Sequence, residues 1–318
     1  MMTNKEQYKQ LCDKQPDIPL FMQYWWMQAV CIGKEWDVLL SFDQQGNIQG
    51  ALPYLFRKRM GMKYIVCPQE TQINGLWTLA SLTDEQRQSV YDDIIQQLNH
   101  LGLAYYYQHF PLHSEAPDYF DKHKFTCKKR WTYRIDDLSN LDYVISQFSK
   151  NKKRQLQKAL SLHADFSLTA DEFYHFHVLC LQEQGKIISY SKEFFQSLYT
   201  AATERQQGQI IAIKNAEGTL LSALFLVWDH QAAYYLIPCY SKTYAATGAS
   251  ALNVLEAIKF ARQHVNVFDF EGSMVKGIAN SYKQFGTTKH EYYSVSRYYK
   301  MLFRFAIWYN KLKTRKQR

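Results

Sequence analysis

Residues Leu39–Tyr54 read LLSFDQQGNIQGALPY, and residues Ile211–Leu226 read IAIKNAEGTLLSALFL. At an offset of 172 positions, Gly46 falls on Gly218, Ile48 on Leu220, Ala51 on Ala223 and Leu52 on Leu224. Each copy is an apolar run, a polar turn with glycine and a second apolar run, which is the pattern of a β-hairpin. A third apolar run follows both: Met62–Cys67 (MKYIVC) and Ala232–Cys239 (AAYYLIPC). Helical segments come next, Asp84–Leu101 and Gly248–His264, the second with Leu252, Leu255, Ile258 and Ala261 at helical spacing. Strands Leu103–Phe110 and Val265–Phe270 follow, then a short helix and a last strand. Phe125 precedes KKRWTYRI and Phe285 precedes TKHEYYSV, now at an offset of 160. The shared order of elements carries the repeat, because single identities are few.

Each unit thus reads as leading helices, three antiparallel strands, helix, strand, helix, strand. In the second unit the leading helices are expected at Leu141–Leu162, Asp171–Gln184 and Lys192–Gln206. The fold class is α/β with mixed (α+β) sheets. Two domains are expected, 1–137 and 138–300, joined at Asp136–Asn140 (DDLSN), with a cleft between them and a basic amphipathic tail over 301–318.

At 318 residues and 47% hydrophobic content the chain has apolar material for two cores, which excludes a mostly disordered protein. The six cysteines lie at least 19 residues apart. No CxxC motif exists, so they read as small buried hydrophobes in a reducing compartment. With no apolar N-terminal core and no apolar run of about 18 residues, a cytoplasmic protein is expected. Net charge is +9, and the seven basic residues of Lys300–Arg318 leave only +2 for the rest of the chain. Met301, Phe305, Trp308 and Leu312 recur at helical spacing in that tail. It either packs on a domain or touches an anionic membrane surface peripherally. Localised positive charge also suits a polyanion such as tRNA, solvated faces being the alternative.

Three segments resemble the FemAB-like transferases, a tandem of the Gcn5-related N-acetyltransferase (GNAT) fold. FDFEGSMVKGIANSYKQFG (Phe268–Gly286) is similar to the family's most recognisable stretch. FSKNKKRQLQKAL (Phe148–Leu160) is similar to the basic helix that opens its second domain. LPYLFRKRMGMKYIVCPQETQINGLW (Leu52–Trp77) is similar to the first-domain region of bacterial relatives. The resemblance implies transfer of an acyl or aminoacyl group from acyl-CoA or aminoacyl-tRNA to an amine, with peptidoglycan and other cell-envelope precursors among known acceptors. It implies a degenerate first domain on the acceptor side and a second domain on the donor side. No tightly bound cofactor is expected.

Candidate site residues follow from the residues themselves. In a strand Val267–Glu271, Asp269 and Glu271 share one face. Two adjacent carboxylates push one pKa up and give a general base for an attacking ammonium. A pair with a structural role is the alternative. Lys283 is a candidate for stabilising an oxyanion, and Tyr282 lies beside it. In the family the coenzyme A diphosphate rests on a helix N-terminus after an Arg/Gln-x-x-Gly-x-Gly/Ala loop. The corresponding segment here, Tyr240–Ala251 (YSKTYAATGASA), is a degraded version. Tyr240, Lys242, Thr247, Gly248, Ala249 and Ser250 are its candidate contacts. Among Lys152, Lys153, Arg154 and Lys158 of the basic helix, Arg154 suits bidentate phosphate contact best, with Lys153 next. Gln69, Gln72 and Asn74 form a polar loop that by resemblance lines the acceptor side. His175 and His177 point to different helix faces, so no metal is expected. The rival to an enzyme is a degenerate transferase fold that only binds a phosphate-bearing ligand or a membrane. Donor, acceptor, oligomeric state and loss of activity in either domain stay open at this level.

Overall fold

A computed structural model describes residues 2–272 and 274–305. The chain divides into two compact units, Met1–Arg130 with Glu291–Arg318, and Trp131–His290. The division differs from the expected one at 137/138. Two long strands cause the difference, since β6 (Thr126–Ile135) and β12 (Thr288–Tyr298) each begin in one unit and end in the other. The candidate tail beyond Phe305, with Trp308 and Leu312, lies outside the described residues.

The first unit opens with α1 (Asn4–Lys14) and α2 (Tyr24–Val30). It continues with β1 (Trp36–Phe42), β2 (Ile48–Arg59), β3 (Met62–Val66), β4 (Trp77–Thr78), α3 (Asp84–His100), β5 (Tyr105–Phe110) and α4 (Ala116–Lys122). Its strand order is β1-β2-β3-β5, with the end of β12 antiparallel on β5. Thr83 and Gln86 form a capping box that starts α3. The helix then buries Val90, Ile94 and Leu98 in a core shared with Leu52, Ile65, Tyr106 and Phe110.

The second unit contains α5 (Leu141–Ser146), α6 (Lys150–Lys158), β7 (His163–Asp165), α7 (Ala170–Gln182), α8 (Lys192–Thr203), β8 (Gly208–Lys214) and β9 (Leu220–Trp228). Then come β10 (Ala233–Tyr240), α9 (Ala249–Ala261), β11 (Phe268–Asp269) and α10 (Lys276–Lys283). Strand order is β6-β11-β10-β9-β8-β7, parallel only between β10 and β11. The apolar run of β9 is buried on both faces, as its near-continuous hydrophobicity requires. Ala251, Ala257 and Ala261 let α9 lie close on the sheet with Val254 and Ile258 in the core. The expected helix over 141–162 is two helices, because Ser149 accepts the Lys152 N–H and starts a new one. The expected strand over 265–270 shortens to two residues.

The repeat holds down to single hydrogen bonds. In the first hairpin the Asp43 N–H donates to Asn47 O and the Gly46 N–H to Asp43 O. In the second, the Asn215 N–H donates to Thr219 O and the Gly218 N–H to Asn215 O. Both glycines have left-handed φ, +85° and +79°. Both hairpins slip register at matching places, Ser41/Phe42 and Ile213/Lys214. Among the described residues no helix is long and apolar enough to cross a membrane.

Gly248 and Gly46 share φ +85°, but a Cβ at Gly248 would sit 2.0 Å from the Gln155 carbonyl oxygen, whereas at Gly46 it meets nothing within 4 Å. Gly46→Ala is expected to cost about 1–2 kcal/mol from backbone strain alone. Gly248→Ala adds a backbone clash that forces α6 and α9 apart. Chemical denaturation of the two variants is the check, and equal midpoints would contradict the close approach of these helices.

Candidate functional site

The second unit has a notch between two parallel strands. β10 and β11 share two residue pairs, Ala233 with Phe268 and Tyr234 with Asp269. β10 then runs on to Tyr240. The other chain turns away, because Glu271 and Gly272 both take left-handed φ, +64° and +70°. A non-glycine residue in that conformation stores strain of the kind found at functional sites. Against the part of β10 beyond these pairs, a cavity of about 360 Å3 opens. β10 lines it with Tyr235, Pro238 and Tyr240, α9 with Ser250 and Val254, and α10 with Ile278, Ser281 and Tyr282. Phe285 and Lys152 close it.

Lys152 is the inward cation of the basic helix. Phe148, Lys152 and Ala159 are buried at helical spacing, while Lys150, Lys153, Arg154 and Lys158 are exposed. The Lys152 ammonium donates to Gln155 Oε1 at 3.3 Å and to Ser281 Oγ at 3.4 Å, and lies 4.5 Å over the Phe285 ring. Burial pulls its pKa below the usual lysine value. Sequence reasoning preferred Arg154 and Lys153. Both are exposed, and the Lys153 ammonium donates to Ser146 O at 2.7 Å.

Asp269 is fully buried. Its Oδ2 accepts from Arg134 Nε at 2.7 Å, and its Oδ1 accepts from the Thr132 hydroxyl and, at 2.7 Å, from the Glu271 N–H. All of that carboxylate is engaged inside the protein, so it has no free face for a substrate amine. The expected side-by-side pair of carboxylates is corrected accordingly. β11 ends at Asp269, and the left-handed Glu271 breaks the alternation that would align them. Arg134 and Thr132 were not foreseen, since they lie more than 130 positions away on β6. Tyr282 packs on Phe270 at 4.8 Å and Tyr235 at 6.2 Å. Burial, with the charges of Glu271 and Asp269, raises its hydroxyl pKa. Lys283 ends α10, exposed, 5.9 Å from the Tyr133 ring centroid.

The loop after β10 is partly occupied from within. The Ser241 hydroxyl and the Lys242 and Thr243 N–H groups all donate to the Glu183 carboxylate. Thr247 receives the Ala249 N–H on its hydroxyl, and Gly248 admits the Gln155 carbonyl. Of the candidate donor contacts, Tyr240 and Ser250 reach the cavity; Lys242 is exposed.

The first unit has the same notch, and its own chain seals it. β3 and β5 also share two parallel pairs, Tyr64 with Tyr105 and Ile65 with Tyr106. Beyond them the loop before β4 fills the gap. The Asn74 N–H donates to His109 O at 2.9 Å, and Asn74 Oδ1 accepts from Gln108 at 2.6 Å. A Cβ on Gly75 would lie 2.7 Å from Phe110 Cα. Asn74 is fully buried and Gln72 nearly so, which makes them part of the seal; Gln69 is half-buried. His109 Nδ1 lies 2.7 Å from Gln72 O, which can only accept, so Nδ1 carries the proton and Nε2 accepts from Tyr107 OH at 2.8 Å. Among the described residues no group of three or more His, Cys, Asp and Glu could hold a metal ion.

Residues 132–284 match the model of an acetyltransferase (GNAT) domain. In structure, the chain is similar to FemX at 13% identity and a TM-score of 0.69, over 92% of this chain and 96% of that one. It is similar to the C-terminal domain of a putative lysylphosphatidylglycerol synthetase from Agrobacterium fabrum at 10% identity and a TM-score of 0.57, over 92% and 91%. It is also similar to a tandem GNAT protein from the clavulanic acid biosynthesis pathway at 10% identity and a TM-score of 0.55, over 92% and 93%. No curated protein matches it in sequence.

Asp269→Asn leaves the part-buried Arg134 without its counter-charge and is expected to lower stability by about 3 kcal/mol. An unchanged unfolding midpoint together with lost turnover would make Asp269 a chemical participant instead. Burial lowers the His109 pKa to about 4. The folded state therefore keeps the ring neutral while the unfolded state takes a proton below about 6.5. Stability is lost as pH falls from about 6.5 toward 4. Melting temperature should fall less steeply over that range in His109→Gln, and parallel pH profiles would contradict a buried neutral imidazole.

Proposed function

We propose that this chain, a FemAB-like tandem of GNAT folds with its GNAT domain over residues 132–284, transfers an acyl or aminoacyl group from an activated donor to an amine. The observation that carries the reading is the open notch of the second unit beside the sealed one of the first. The donor's acyl end enters between β10 and β11, and the first unit serves the acceptor. Asp269 is a positioning residue that fixes the start of the Glu271 turn. Glu271 orients or deprotonates the amine, which attacks the donor carbonyl directly. The tetrahedral intermediate collapses with loss of the donor's thiol or hydroxyl, and no covalent enzyme intermediate is needed. Lys283 and Tyr282 lie on the neighbouring helix for the developing oxyanion.

Acyl-CoA and aminoacyl-tRNA are the two donors to be told apart. The exposed Lys153 and Arg154 offer charge to either. The hold of Glu183 on Ser241, Lys242 and Thr243 takes up donors near the place where a diphosphate would rest, which favours the ester donor. Cell-envelope precursors are the acceptor class, and a peripheral contact with an anionic membrane belongs to the same proposal. Met301, Leu302 and Phe305 expose apolar surface beside Lys300 and Arg304. The Glu183 contacts also favour a second reading, a module that binds without turnover.

The test incubates the full chain with acetyl-CoA or bulk aminoacyl-tRNA and small amines such as hydroxylamine. One donor should be consumed with amide or hydroxamate formed. Glu271→Gln should lower kcat about 100-fold or more while keeping its melting temperature. Consumption of neither donor would overturn the enzyme in favour of the binding module.

A further inference from the structure

Lys152 is 8% exposed, and no carboxylate pairs with it among the described residues. Its ammonium has two long hydrogen bonds to neutral oxygens and the face of Phe285. A buried cation with only neutral partners is less stable than a paired one. A methionine or leucine at this position would fill the same space at no such cost. The cation also faces an open cavity rather than a closed core. Pro238, Val254, Ile278 and the tyrosine rings give the other walls apolar surface, Ser250 and Ser281 add hydroxyls, and Lys152 is the one charged group of the lining among the described residues.

We propose that the cavity is a recognition site for an anionic oxygen, a carboxylate or a phosphate, at the end of a short apolar segment, with Lys152 as its counter-charge and Ser281 as a second donor. The proposal rests on the transferase reading and deepens it by naming a group that the donor or acceptor carries beside its reacting carbonyl or amine. Gln155 Oε1 accepts from the ammonium, and an incoming anion takes its place. Charge-assisted hydrogen bonds are about twice as strong as neutral ones, and in a low-dielectric pocket they decide between otherwise similar ligands. A ligand of the same length with a neutral end leaves the cation unpaired and binds more weakly.

The experiment measures binding of hexanoate, hexyl phosphate and hexanol to the full chain by calorimetry, without turnover, so that it stands or falls apart from acyl transfer. At least one of the two acids should bind about tenfold or more tightly than the alcohol. The preferred acid distinguishes a carboxylate-bearing group from a phosphate-bearing one. Lys152→Met should lose that preference and bind hexanol as the wild type does, which also shows that its cavity is intact. Lys152→Arg should keep the preference. Acid and alcohol binding alike in the wild type, no binding of either acid, or an unaltered preference in Lys152→Met would each overturn the proposal. The wild-type comparison needs no variant and holds even if Lys152→Met fails to fold.

Discussion

The buried carboxylate of Asp269 sets where two strands of the second unit part. It is the last residue of β11 and pairs with β10 through its neighbour in register, Tyr234. Its three partners come from two directions. Thr132 and Arg134 hold it to β6, and the Glu271 N–H closes the turn that carries the chain away. A carboxylate this deep is tolerable only because a guanidinium and a hydroxyl neutralise and satisfy it. The Glu271 N–H on Asp269 Oδ1 ties the left-handed turn to that anchoring. Charge here fixes geometry.

The two units show the same divergence with opposite outcomes. Both make two parallel pairs and then separate. In the first, Gln72, Asn74 and Gly75 run alongside β5, and the close approach of Gly75 to Phe110 leaves no room for a ligand. In the second, the space is bounded by side chains of α6, α9 and α10 and stays open. A duplicated fold thus keeps one notch open and fills the other with its own chain.

The hairpins were legible because turns depend on local chemistry. Asp43 and Asn215 accept from the chain ahead, and Gly46 and Gly218 supply the positive φ. The helices were legible through their place in the repeated order and, for α9, through apolar spacing. The inward position of Lys152 was also in the sequence, at i+4 from Phe148 and seven before Ala159, but a run of four basic residues draws attention to charge rather than to face. The Asp269 network was not legible. Its partners come from a distant strand, and strand alternation misplaces Glu271 as soon as one residue turns left-handed. The sealing of the first notch depends on close backbone approach, which a polar loop sequence does not announce. Nor does any local signal show that β6 and β12 each serve both units.

The central claim is that the ligand occupies the notch of the second unit and not that of the first. Hydrogen–deuterium exchange on the full chain, with and without acetyl-CoA and bulk aminoacyl-tRNA, tests it most directly. Slowed exchange should appear in peptides covering Tyr235–Tyr240 and Gly277–Phe285 with one of the two donors. Protection confined to Cys67–Leu76 and β5, or none with either donor, would contradict the account.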